Sequence, residues 1–325
     1  ELGATLHPDA RIVARDGQVR LHCEADDNEV LVRLPAEAFI PIGRVQWSTS
    51  VDALEVDGLL GELSGAQTEL LVLQTALHNA CGKIPWLVET HPVLAPDLDD
   101  DLVDAVRVFR PSFRRRPPSP ASLFWSNRVF RLPAAGSSIP EPMALPIIDL
   151  LDHHHGGATG TWTGAAFTVD VARPDADGTF LDYGLHRDAI GMAVVYGFAD
   201  LTNPVAHSAP MEVEVPGVGA VWVLARGRAR TGELLPPVVD TTGAMTTISR
   251  VTFGATDYVD RVEGLLANAP WSLAQGEAVV TAIAQRNVEA LDRLLEAASR
   301  SASPAAEVLA GAARRQRDLI APYAH

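Results

Sequence analysis

The sequence predicts an α+β protein, with short strands in small sheets, a helical insertion and a helical C-terminal lobe. Three observations carry this. Up to Val45 the chain runs as short β-branched or alternating stretches between polar turns; from Leu59 the apolar spacing lengthens to that of a helix; from about Thr256 to the end it stays helical. At 325 residues the chain exceeds one ordinary core, since single cores usually stop growing beyond about 250–300 residues, so two lobes are expected.

Taken in order, Arg11 to Arg15, Val19 to Cys23 and Glu29 to Pro35 read as strands separated by Asp16-Gly17 and Asp26-Asp27-Asn28. Leu70, Leu73, Leu77 and Ala80 recur at helical spacing and Gly82 follows as a stop. Asp97 to Asp101 suit the positive end of a helix running towards Val108, and Arg114 to Arg116 before Pro117-Pro118 read as a solvated connector. Strands return between Ala165 and Leu181, with Asp175-Ala176-Asp177-Gly178 as a hairpin turn. That tetrapeptide also opens like a calcium loop, but His186 stands where the bidentate carboxylate belongs. Met211 to Val215 and Ala220 to Gly227 form a second strand pair. Ser272 with Gln275 makes a capping box ahead of Val280, Ile283, Leu291 and Leu294, and Ser303-Pro304 opens the last helix. No repeat recurs at solenoid periods.

The charge balance narrows the function. With 26 basic against 41 acidic side chains, the formal charge of −15 repels phosphate backbones and anionic bilayers, so neither nucleic acid nor membrane is an expected partner. It leans weakly towards a cationic one. Lys83 is the only lysine, an arginine bias that speaks of codon composition. Cys23 and Cys81 lack any CxxC spacing, so neither a disulfide framework nor a zinc site is indicated and a reducing, cytoplasmic setting is expected. No apolar run reaches the roughly 18–20 residues that span a bilayer, and the chain opens on Glu1 without a basic-then-apolar leader, as a trimmed chain would.

Three segments concentrate residues able to do chemistry. Phe180 to Phe198 holds Tyr183 and Tyr196 on either side of an apolar helix, with Gly197-Phe198 and then Asn203-Pro204. Phe124 to Arg131 holds Trp125 and Arg128, and Pro146 to Gly157 holds Asp149, Asp152 and His153 to His155. Two tyrosines bracketing a helix are, by themselves, more often buried packing residues with satisfied hydroxyls. The histidine run with Asp149 and Asp152 invites a 2-His-1-carboxylate metal reading. Adjacent side chains point apart, however, so no metal is expected.

Together these segments resemble the SET enzymes of the Rubisco large-subunit lysine methyltransferase branch. There a strand ends in a methyl-facing Tyr, a helix and a Tyr-Gly-Phe element follow, a Ser-Arg-Ala-Phe-type helix precedes them, and a Pro-x-x-Asp-x-x-Asn-His element passes the cofactor's adenine end. The resemblance implies a SET-type core over 1–205 with its helical insertion at about 59–123, and a mostly helical, substrate-binding-like lobe over 206–325. It implies an S-adenosylmethionine-dependent N-methyltransferase acting on a protein lysine or an amine of similar reach. Carried over residue by residue, Tyr183 is catalytic; Gly17, Arg128, Asp152, His153 and Tyr196 face the cofactor; Asp149, Phe198 and Trp125 face the substrate. Two positions depart from the pattern. Asp152 replaces the Asn, so it can accept from the adenine amine but not donate; Val19 stands at the second glycine of the family's Gly-x-Gly turn. These departures define the alternative, in which the SET-like fold has lost methyl transfer and serves as a binding module or a repurposed small-molecule enzyme. Substrate identity and oligomeric state stay open.

Overall fold

Alternating Val19, Leu21 and Cys23 turn one face of a strand to the interior, and Gln18–Cys23 pairs antiparallel with Ala10–Arg15, Val19 opposite Ala14. A computed structural model describes residues 3–15, 18–50, 52–174, 178–184, 187–225, 236–242, 245–254 and 269–325. Gly17, the turn residues 175–177 and His186 lie outside the described residues. The contacts divide the chain into two units: Glu1–Val88 with Pro118–Tyr183, and Glu89–Pro117 with Gly184–His325. The divide expected from sequence lay at 205/206. Residues 89–117 group with the C-terminal residues because Leu102, Val106 and Phe109 share an apolar core with Ile283, Leu291 and Leu309.

The first unit is a set of small sheets. Thr5–Leu6, Val30–Pro35, Ala166–Asp170 and Thr161–Trp162 form a four-stranded antiparallel sheet; Ile40–Pro41, Pro140–Ala144 and Val129–Pro133 form a three-stranded one. Val45–Thr49 pairs with Leu54–Leu59, a hairpin the sequence did not announce because its loop lacks glycine and proline. Leu21, Leu31, Phe39, Met143 and Val169 fill the interior. Helix α1 (Gly65–Ala80) opens on a capping box between Ser64 and Gln67, and Gly82 at φ +62° redirects the chain into α2 (Lys83–Thr90).

Two local expectations are corrected in this unit. Ala166–Asp170 and Phe180–Leu181 are not a hairpin. The Thr179 hydroxyl accepts the Cys23 N–H at 3.1 Å and draws the chain aside, so Phe180–Leu181 pairs parallel with Asp152–Ala158. The segment from Phe124 to Arg131 is not one helix either: α4 (Pro120–Ser126) ends at Asn127, and Val129–Pro133 is a strand.

The second unit holds α3 (Asp100–Phe109), with Asp100 and Asp101 in its first turn as charge complementarity predicts, and α5 (Ala189–Tyr196). Met211–Val215, Gly219–Val223, Thr246–Ser249 and Val238–Asp240 form a four-stranded sheet, so the residues after 205 carry strands as well as helices. The long α6 (Leu273–Ser299) starts at the Ser272–Gln275 capping box, and α7 (Pro304–Ile320) starts with proline at its first turn. Among the described residues no helix is long and apolar enough to cross a membrane.

Candidate functional site

The parallel pairing of Asp152–Ala158 with Phe180–Leu181 sets His153 opposite Leu181, and that register brings His153 against Tyr183. The two rings lie 4.9 Å apart at 38°. Nδ1 of His153 is 3.1 Å from the Tyr183 backbone N–H and 3.2 Å from the Leu181 carbonyl, so its tautomer decides whether it accepts from the first or donates to the second. The half-buried Tyr183 hydroxyl donates to the Leu151 carbonyl at 3.0 Å. Gly157 permits this close approach: a Cβ there would meet the Phe180 and Leu181 backbone at 2.8 Å.

Just before this pair the backbone is strained. Ile147, a β-branched residue, sits at φ +73°, ψ −43°, and leads into the tight turn Ile148–Leu150. That turn carries Asp149 inward. Its side chain is 1% exposed, and its Oδ2 accepts from Gln74 at 2.8 Å and lies 2.8 Å from Nε2 of the equally buried His78. Burial opposes its ionisation, but His78, Arg128 and the hydrogen bonds outweigh that and hold its carboxyl below the ordinary aspartate value. Oδ1 of Asp149 has no hydrogen-bond partner. Gln74 and His78 are members of this site that the sequence reading missed; their i, i+4 spacing on α1, amid Leu70 and Leu77, was the available signal.

Arg128 joins the same neighbourhood. Its guanidinium lies 4.2 Å over the Phe124 ring and donates to the Phe124 carbonyl, and it feels the charges of Asp149, Asp152 and the Tyr183 hydroxyl. Burial pushes its pKa down, with those acidic groups opposing, and it remains a cation. Asp152 is half-buried, and its Oδ2 lies 2.6 Å from Nε of Arg20, an ion pair made off the hydrogen-bond axis. Val19, one residue before Arg20, is 8% exposed and packs in the core; its strand is regular there.

The remaining site residues fall elsewhere. Trp125, 3% exposed, stacks 4.5 Å from Trp47, and both line a cavity of about 580 Å³ with Ser119, Ser122, Ser126 and Arg131. Tyr183 is not among that cavity's lining residues. Tyr196 and Phe198 belong to the second unit, their rings 6.1 Å apart, with Arg187 donating to the Tyr196 hydroxyl at 3.2 Å. Burial raises the Tyr196 pKa, and the Arg187 charge opposes it. Gly17 lies outside the described residues. Among the described residues no group of three or more His, Cys, Asp or Glu side chains could hold a metal ion.

No family model and no curated protein matches the chain. Solved structures similar to it include the SET domain of LSMT bound to lysine and AdoHcy, at 10% identity and a TM-score of 0.45, covering 98% of this chain and 86% of that one. Rubisco LSMT bound to sinefungin and monomethyllysine is similar at 10% identity and a TM-score of 0.45, over 99% of this chain and 88% of that one. Rubisco LSMT bound to AdoMet is similar at 10% identity and 0.42, over 97% and 86%. The fold is α+β, with small sheets and a helical C-terminal region, and these solved structures similar to it are SET-domain structures.

Proposed function

We propose that the chain is a SET-like N-methyltransferase that uses S-adenosylmethionine and acts on a protein lysine or an amine of similar reach. The observation that carries this reading is the contact between His153 and Tyr183: two residues of separate motifs, singled out by resemblance, meet through a parallel strand pair next to Arg128 and Asp152. The donor set suits the cofactor in part. Arg128 offers a cation with an unused Nε and Asp152 an acceptor, while Val19 fills the place where a glycine would admit the cofactor's backbone contact. Within the first unit Arg128, Asp152 and His153 are the residues that would hold it, and it would supply an electrophilic sulfonium methyl; by resemblance alone Tyr196, of the second unit, and Gly17, outside the described residues, are further cofactor candidates.

What the chain itself supplies is orientation. Leu151 fixes the Tyr183 hydroxyl through its donor side, so its oxygen can make weak C–H···O contacts to a polarised methyl. A narrow, water-poor site would keep an incoming amine neutral and aligned, which can lower the barrier by several kcal/mol. By resemblance Trp125 and Asp149 of the first unit and, separately, Phe198 of the second are the substrate-side candidates of this reading, an aromatic face tolerating a methylated cation.

The alternative, a SET-like protein that has lost methyl transfer and serves as a binding module or repurposed small-molecule enzyme, is favoured by one observation: Arg20 already engages Asp152. Calorimetric titration with S-adenosylhomocysteine separates the two. The methyltransferase reading expects saturable binding and a rise in melting temperature; no heat and no stabilisation at millimolar ligand would sink it. Binding gained only in a Val19→Gly, Asp152→Asn double variant would establish the alternative.

A further inference from the structure

The cavity of about 580 Å³ in the first unit is lined by neither Tyr183 nor His153, and its wall is built from one face each of three elements. Ser122, Trp125 and Ser126 recur at helical spacing and share a face of α4. Trp47, on the strand Val45–Thr49, stacks 4.5 Å from Trp125 at 44°. Arg131 and Pro142 stand opposite each other in the antiparallel pair of Val129–Pro133 with Pro140–Ala144, so they share one face of it. Burial is graded across these six. Trp125 is buried, Trp47 and Pro142 are half-buried, and Ser122, Ser126 and Arg131 are exposed, which makes an aromatic floor under a polar rim.

The charge at the rim is not balanced by the protein. No lining residue is acidic, and among the described residues the Arg131 guanidinium makes no ion pair or hydrogen bond. Glu141, next to Pro142, stands opposite Leu132 on the other face of the strand pair, and its Oε1 already accepts from Arg44 at 3.1 Å. The indole N–H groups of Trp47 and Trp125 are both buried without an acceptor, so the protein alone leaves this wall unsatisfied.

Aromatic faces take a planar ring, and a guanidinium without a partner takes a planar anion through its fork of N–H donors. We propose that this cavity binds a small aromatic carboxylate, its ring laid against Trp125 and Trp47 and its carboxylate held at the rim by Arg131. The size suits such a ligand, since small-molecule sites run from about 300 to 1,000 Å³. With the charge at the rim, the carboxylate keeps part of its hydration and no unpaired ion is buried. A chain of net charge −15 offers anions no general attraction, so any preference for the carboxylate has to come from this local cation. The proposal is independent of methyl transfer, because it needs neither Tyr183 nor a cofactor.

The full chain is titrated by calorimetry at pH 7 with indole-3-acetate and, separately, with the uncharged indole-3-acetamide. The acetate is expected to bind saturably and about three- to tenfold tighter than the amide, the gain a charged hydrogen bond gives at an exposed guanidinium. Arg131→Gln, at an exposed position, should erase that preference and leave the amide's affinity as it was. Ser122→Leu, also exposed, narrows the cavity from its rim and should weaken both ligands. The proposal is overturned by no saturable binding of indole-3-acetate at millimolar concentration, by equal affinities for the two ligands in the parent chain, or by a preference that survives in Arg131→Gln. Binding untouched by Ser122→Leu would place the ligand elsewhere and overturn it as well.

Discussion

The two units treat their buried polar groups in opposite ways. In the second, Asp188 is 2% exposed and every acceptor is used: Oδ1 takes Arg110 at 2.6 Å and the Gly191 N–H at 2.7 Å, while Oδ2 takes Gln316 at 2.9 Å and the His207 N–H at 3.1 Å. Asn287 likewise donates to Ser208 and Ile283 and accepts from Ala209. In the first, Arg20, Gln74, Trp125, Arg128, Asp149 and Asp152 each leave a buried polar atom without a hydrogen bond. Among the described residues every such orphan lies in that unit. Folded proteins keep few of these, because each costs roughly 1–3 kcal/mol, so a cluster of them marks a place shaped for something other than stability. Among the described residues, the second unit's buried polar side chains are satisfied and several of the first unit's are not.

Breaking one of the satisfied groups should show the largest effect. Asp188→Ala removes the cap of α5 and strands Arg110, so a loss of about 3–5 kcal/mol is expected in denaturant unfolding at pH 7. Burial opposes ionisation of Asp188, but Arg110, His207 and the backbone donors outweigh it, so its folded pKa lies below the unfolded value. Its stabilisation is therefore present above about pH 4 and fades as pH falls through the folded pKa. The variant should consequently lose less than the parent on acidification. Equal acid sensitivity would show that Asp188 is not the linked group.

A replacement in the first unit should act with the opposite sign. Lys83→Met keeps the apolar stem and removes an amine whose charged form burial disfavours, so a gain in stability is expected at pH 7. Because the folded pKa of Lys83 is depressed, the wild-type penalty is complete below that value and disappears as pH approaches about 10.4. Unfolding curves at pH 7 and pH 10 should therefore show the gain shrinking. A destabilised variant at pH 7 would mean that Lys83 has a compensating role in packing and that the contrast between the units is weaker than drawn.

Much of this was legible in the sequence, and the reason differs from element to element. Ser272 with Gln275 announced α6 because capping is chemistry between residues three apart, and Pro304 announced α7 because its fixed φ suits a first helical turn, although Ser303 makes no cap hydrogen bond there. The parallel pair of Asp152–Ala158 with Phe180–Leu181 was not announced, since parallel pairing needs a long connection and the second strand is only two residues. The apolar alternation after Ala165 suggested a hairpin, and the capture of the Cys23 N–H by Thr179, 156 positions away, overrode it. At the site, resemblance singled out Tyr183, His153 and Arg128, which fall in the first unit, and Tyr196 and Phe198, which fall in the second, while Gln74, His78 and Arg20 came into view only with the fold. Nothing local marks a buried polar residue whose partners come from distant strands.

The smallest expected effect on stability is also the most informative, because it compares one tyrosine from each unit. Tyr183→Phe removes the donor to the Leu151 carbonyl, and Tyr196→Phe removes the acceptor for Arg187. Each ring keeps its apolar area, so each should cost about 0.5–1.5 kcal/mol in stability. If the chain transfers methyl groups, the two should part company in turnover. Losing an oxygen worth about 2–3 kcal/mol in the transition state would slow Tyr183→Phe roughly 30- to 200-fold. Tyr196→Phe, placed on the cofactor side of the reading, should weaken S-adenosylhomocysteine binding more than it slows turnover. Melting temperature, ligand affinity and methyl transfer measured in parallel decide it. Tyr183→Phe with lowered stability and unchanged turnover would make Tyr183 a packing tyrosine, tied to Leu151 for the fold's sake.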